Sequence, residues 1–72
     1  MMTKQRVLVS AMQYEAKGVL SVEMVSAQGE DLARFSAGGH IDVFFREGLV
    51  RQYSLINDPE EKHRYQFAVL LE

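Results

Sequence analysis

Apolar and polar residues alternate at period two in short runs along this chain, and that spacing is the pattern of strands with one buried and one wet face. Val7, Val9 and Ala11 alternate with Leu8 and Ser10, and Leu20, Val22 and Met24 with Ser21 and Glu23. Ile41, Val43 and Phe45 alternate with His40, Asp42 and Phe44. A fourth strand is predicted over 50–56, and a fifth over 64–71 with Tyr65, Phe67, Val69 and Leu71 on one side. Turn signals separate the runs: Gln28-Gly29-Glu30-Asp31, the bend at Gly38-Gly39, and a tight reversal at Glu47-Gly48. Between the last two strands, Asp58 can cap one helical turn with Pro59 at its first position. Glu61 stands where a capping box wants a carboxylate. Five short strands and no helix of any length predict an all-β barrel or sandwich.

The size of the chain limits what such a sheet can enclose. At 72 residues it is at most one small domain, residues 1–72. Chains near this size bury only about 60% of the surface their unfolded form exposes, so a deep dedicated pocket is hard to build. A 47% hydrophobic and 25% charged composition is that of a folded protein rather than a disordered one. With no cysteine there is neither a disulfide framework nor a thiolate metal cluster. A formal charge of −2 leaves no basic stripe to neutralise phosphates, which argues against nucleic acid. The apolar run Val7-Leu8-Val9 is too short for a signal peptide, and no stretch approaches membrane-spanning length. A soluble cytoplasmic domain is expected. The last residues, Ala68-Val69-Leu70-Leu71-Glu72, stay apolar up to Leu71 with no closing turn, the pattern of a barrel that is cut off, and Leu71-Glu72 equally fit residues left by a cloning site.

The chemistry concentrates in Arg51-Gln52-Tyr53-Ser54-Leu55-Ile56-Asn57. On a strand, Arg51 and Tyr53 point to the same side about 7 Å apart. A guanidinium offers a planar fork of donors matched to phosphate oxygens, and a phenol offers a flat face for stacking. Ser54 follows at the strand end, where its hydroxyl and N–H can meet the polar atoms of a ring. From these residues alone an exposed Arg–Tyr pair on an ordinary strand is the better explanation of the pattern.

Arg51-x-Tyr53-Ser54 resembles the flavin signature of the ferredoxin reductase superfamily. The longer Arg-x-Tyr-Ser-Leu-x-Asn is most similar to the phthalate dioxygenase reductase and vanillate O-demethylase reductase branch. Gly18 to Met24, Phe35 to Val43 and Arg64 to Leu70 support the resemblance in order and spacing, so that it runs from Val7 onward. It implies an antiparallel Greek-key barrel of the flavin-binding type, present as an incomplete fragment of about five strands. It also implies roles: Arg51 for the flavin phosphate, Tyr53 against the isoalloxazine, and Ser54 near its reactive nitrogen. Ala68, Val69 and Leu70 would make a backbone contact, because Leu71 stands where relatives often carry a basic residue. The flavin expected is FMN, with FAD the choice of other branches. NAD(P)H and a [2Fe-2S] centre are implied only for domains outside these residues, and the partner is the oxygenase component of an aromatic-ring oxygenase or demethylase. No catalytic residue and no metal ligand is assigned within the chain.

Other residues invite simpler readings. His40 and His63 are the only histidines, and without cysteine they make no convincing metal site, so Gly38-Gly39-His40 reads as a bend admitting the third strand. Phe44, Phe45, Tyr65 and Phe67 read as core and cross-strand packing. Met1, Met2, Met12 and Met24 show no pattern, and Glu60-Glu61-Lys62 reads as a solvated loop. The competing class is a non-enzymatic β-barrel interaction module. An unfinished barrel exposes an unpaired strand, which invites dimerisation.

Overall fold

The alternating segments form five strands in a computed structural model that describes residues 4–71; Met1, Met2, Thr3 and Glu72 lie outside them. Strand β1 runs Val7–Ala16, β2 Val19–Ser26, β3 His40–Phe44, β4 Val50–Ser54 and β5 Tyr65–Leu70. All pairings are antiparallel, in two sheets of order β1-β2-β5 and β3-β4, tied at one isolated bridge between Leu55 and Phe67. The fold class is all-β, as the period-two pattern predicts. The two sheets face each other without closing into a barrel among the described residues.

The core lies between the sheets. Val22, Met24 and Phe67 form one buried cluster and Leu32, Leu55 and Tyr65 a second, and Val7 and Ile41 pack against both. Tyr65 is anchored at each end: its ring meets Phe35 edge-on at 5.6 Å, and its hydroxyl donates to the Ala33 carbonyl. Burial of that hydroxyl raises its pKa.

Three local readings change. Strand β1 does not keep simple alternation, because its register against β2 slips between Val9 and Ala11 and again between Tyr14 and Ala16. The first slip inserts Ser10 as an extra residue and reverses the faces. Val9 and Met12, three apart, therefore line the same hollow, and Ala11 does not continue the face of Val9. Met24 lines it too, so Met12 and Met24 do share a pattern that sequence did not reveal. Phe44 and Phe45 are not core residues: they are 49% and 46% exposed, with Lys4 over the Phe44 ring at 4.4 Å.

The turns behave as their residues suggest. Glu47 and Gly48 both take positive φ, 71° and 77°, and Phe45 N–H donates to Leu49 O at 2.8 Å across the reversal. At the bend before β3, Gly39 N–H donates to Ser36 O at 2.8 Å, and a Cβ on Gly39 would meet that oxygen at 2.9 Å. The capping box at Asp58 forms, but no helix follows it. Glu60 N–H donates to Asp58 Oδ1, Asp58 N–H donates to Glu61 Oε1, and Glu61 N–H closes the turn on Asp58 O at 2.9 Å.

Candidate functional site

Strand β4 presents its signature residues on two faces. In the β3–β4 register Arg51 lies opposite Val43, Tyr53 opposite Ile41 and Ser54 opposite His40. Pleating puts Arg51 and Tyr53 on one face with Val43 and Ile41, the face turned toward the core. Tyr53 stacks on Phe67 with centroids 4.3 Å apart and planes 20° from parallel. Arg51 is exposed, and among the described residues its guanidinium makes no ion pair. Ser54 falls on the opposite face, where its hydroxyl is exposed beside His40. One strand thus carries the cation and the ring on one side and the hydroxyl on the other.

The backbone of Ser54 turns elsewhere. Successive residues of a strand aim their N–H and C=O at opposite edges. Leu55 N–H donates to Gly39 O at 2.8 Å, so Leu55, Tyr53 and Arg51 aim at β3 and Gln52 and Ser54 aim at β5. On β5, Leu71 N–H donates to Gly18 O at 2.7 Å, while Gln66 O accepts Ile56 N–H at 2.8 Å. Ala68 and Leu70 share the parity of Gln66 and so aim at β4. Past the Leu55–Phe67 bridge no ladder joins β4 to β5 among the described residues. The result is a wedge with Gln52 to Ser54 on one lip and Ala68 to Leu70 on the other. Val69 lines the inner hollow, whereas the Leu70 side chain is 77% exposed.

Beneath Tyr53 and Val69 lies that hollow, ≈ 220 Å³ and almost wholly apolar, walled by Val22, Met24 and Phe67 from the three-stranded sheet. Enclosed sites for organic ligands run about 300–1,000 Å³, so these residues make one wall of a site rather than a closed pocket.

The chain matches known proteins along most of its length. The chain is 57% identical over 56 residues to a vanillate O-demethylase oxidoreductase of Pseudomonas putida, covering 78% of this chain and 18% of that one. It is 51% identical over 57 residues to the reductase subunit of a tert-butanol monooxygenase / tert-amyl alcohol desaturase of Aquincola tertiaricarbonis, covering 79% and 17%. The solved structure of phthalate dioxygenase reductase superposes with a TM-score of 0.81 at 34% identity, over 89% of this chain and 20% of that one. The chain is homologous to the reductases of the phthalate dioxygenase and vanillate O-demethylase type. No family model matches it. It spans about a fifth of the length of these reductases. The solved relative is described as a modular structure for electron transfer from pyridine nucleotides to [2Fe-2S].

Within this reductase homologue, several residues besides Arg51, Tyr53 and Ser54 support the site. Phe67 was read as packing; it is also the ring on which Tyr53 rests. Leu55 and Asn57, the last defined positions of the signature, are both buried, one in the core and one in the loop after β4. Arg64 at the foot of β5 binds two carboxylates. Its Nε and Nη2 donate to Glu61 at 2.9 and 3.2 Å, and its Nη1 donates to Glu23 on β2 at 2.8 Å. Hydrogen bonding from Arg64 holds both carboxyls below the usual carboxylate range, helped at Glu23 by the Ser10 hydroxyl, and the Arg64 pKa is raised in turn. Glu61 therefore belongs to a structural clamp rather than to a solvated charge run. A carboxylate three residues before an Arg was the available signal, but its long-range partner Glu23 left none in the sequence.

Proposed function

We propose that residues 1–72 belong to the flavin-binding barrel of a reductase that carries electrons from NAD(P)H to an oxygenase component. FMN is the flavin proposed, through a [2Fe-2S] centre in another part of the protein. The observation that carries this reading is the wedge between β4 and β5, with Arg51, which makes no ion pair among the described residues, and the Tyr53 ring on one face of its lip, and no backbone ladder joining the two strands past the Leu55–Phe67 bridge. The reductase relatives support it over a non-enzymatic interaction module.

The residues present fit such a group in kind. Arg51 would hold the phosphate as a charge-assisted fork. A phenol ring has two faces, and with Phe67 on one, Tyr53 offers the other to an aromatic ligand. Ser54, Ala68 and Leu70 would supply backbone and hydroxyl groups to polar ring atoms. When bound, a flavin supplies the chemistry by which a hydride's two electrons are passed on singly. The chain's own contribution is binding and orientation. Oxygenation or O-demethylation of an aromatic compound, as in vanillate O-demethylase, is the class of reaction proposed downstream, in the cytoplasm.

The phosphate assignment is tested by comparing FMN with riboflavin. Arg51→Ala should weaken FMN binding about tenfold to a hundredfold and leave riboflavin binding unchanged, because only FMN carries the phosphate. Equal effects on both ligands, or none on either, refute the assignment.

A further inference from the structure

The closed end of the wedge is made by a side chain. Were β4 to continue past Leu55, the next rungs to β5 would be made by backbone groups: an acceptor for Gln66 N–H and a donor for Arg64 O. Neither comes from the β4 backbone. The chain has begun to turn, and Asp58 N–H, which would serve Arg64 O, is held by Glu61 Oε1 at 3.2 Å. The carboxamide of Asn57 replaces both groups. Its Oδ1 accepts Gln66 N–H at 2.8 Å and its Nδ2 donates to Arg64 O at 3.0 Å. Asn57 is buried, and its two partners, one donor and one acceptor, fix which end of the amide is oxygen. Ile56 N–H to Gln66 O, at 2.8 Å, completes the closure.

Two further observations show what this closure controls. Ahead of Asn57 the two strands are tied by the isolated Leu55–Phe67 bridge and by the Tyr53–Phe67 ring stack, and among the described residues no backbone ladder continues past that bridge. With a single backbone bridge, the angle between the strands is set by what joins them on either side of it: the ring stack ahead and the hydrogen bonds behind. Asn57 lies two residues behind it, and the Asp58–Glu61 turn, itself clamped through Arg64 to Glu23, lies behind Asn57.

We propose that the Asn57 carboxamide is the pivot that sets the opening of the β4–β5 wedge, and is therefore a positioning residue for the flavin ring. The proposal rests on the flavin reading above. Asn57 contacts no ligand itself; it acts through the separation of Ser54 from Ala68 and Leu70. Glutamine would place the amide one methylene too far to bridge the same two groups. Aspartate keeps the acceptor for Gln66 N–H but turns an acceptor against Arg64 O, so it breaks one of the two bonds and spares the other.

The experiment uses the full-length protein, with FMN as the probe and four forms: wild type, Asn57→Asp, Arg51→Ala and Ser26→Ala. Ser26→Ala removes a buried hydroxyl that accepts Gln28 N–H at 3.1 Å, at the end of β2 opposite Val7 and outside the Asn57 closure, so it reports what general weakening does. Asn57→Asp is expected to bind FMN about tenfold more weakly than wild type and to return the bound flavin's visible spectrum toward that of free FMN. Ser26→Ala should keep wild-type affinity and spectrum even where its thermal midpoint falls as far. Wild-type behaviour in Asn57→Asp, or an equal loss in Ser26→Ala, overturns the pivot while leaving the flavin reading intact if Arg51→Ala is impaired. Wild-type protein that binds no FMN overturns both. Should Asn57→Asp fail to fold, amide exchange on the wild type decides: Gln66 protected as strongly as the β2 amides supports a fixed pivot, and Gln66 exchanging as fast as an exposed loop overturns it.

Discussion

Tyr53 depends on Phe67 for its place, since the two rings stack almost parallel at 4.3 Å and Phe67 is itself in the core. Phe67→Ala should cost about 3–4 kcal/mol in urea unfolding, the range for deleting a buried aromatic ring. The effect should reach any ligand of Tyr53 as well. Glu23 and Glu61 make a prediction of opposite character. Their pKa values are lowered in the folded state by Arg64, so their stabilisation is complete above the ordinary carboxylate pKa and is lost as pH falls through the lowered values. Acid unfolding monitored by circular dichroism should begin at higher pH in Arg64→Met than in wild type. The loss at neutral pH should be small, because both carboxylates are solvated. Arg51, Tyr53 and Ser54 were legible because a short motif names them. Their division between two faces follows from period two, but the inward turn of the Arg51–Tyr53 face needed the strand pairing.

At the scale of elements, the five strands were legible because each keeps enough alternation to bury one face. The exceptions have physical causes. A β-bulge leaves no residue signature, so the reversal at Ser10 and the shared hollow of Val9 and Met12 were invisible. The Phe44-Phe45 pair reads as core from hydrophobicity alone, yet it falls where β3 runs out beside the hairpin turn and meets water. That turn holds a conflict, because Glu47 carries a Cβ at φ 71° beside Gly48 at 77°, in the left-handed region that Asn tolerates better than Glu. Glu47→Asn should raise stability by about 0.5–1 kcal/mol, measured as a higher urea midpoint at unchanged slope. A lower midpoint would mean that the turn has another conformation.

For the whole molecule, the two sheets meet at one bridge and share an apolar hollow, while Leu8, Val9, Met12 and Tyr14 of the outer strand β1 are more than half exposed. An open outer edge and an apolar face of this kind favour pairing between copies. The isolated 72-residue chain is expected to self-associate in sedimentation equilibrium; a monomer across the concentration range would count against that expectation. The central claim is that β4 and β5 hold part of a flavin site, and the most direct measurement is titration of the full-length protein with FMN. One flavin bound per chain, with a visible spectrum altered from that of free FMN and an affinity lowered by Arg51→Ala, is the predicted result. A protein that binds neither FMN nor FAD would contradict it.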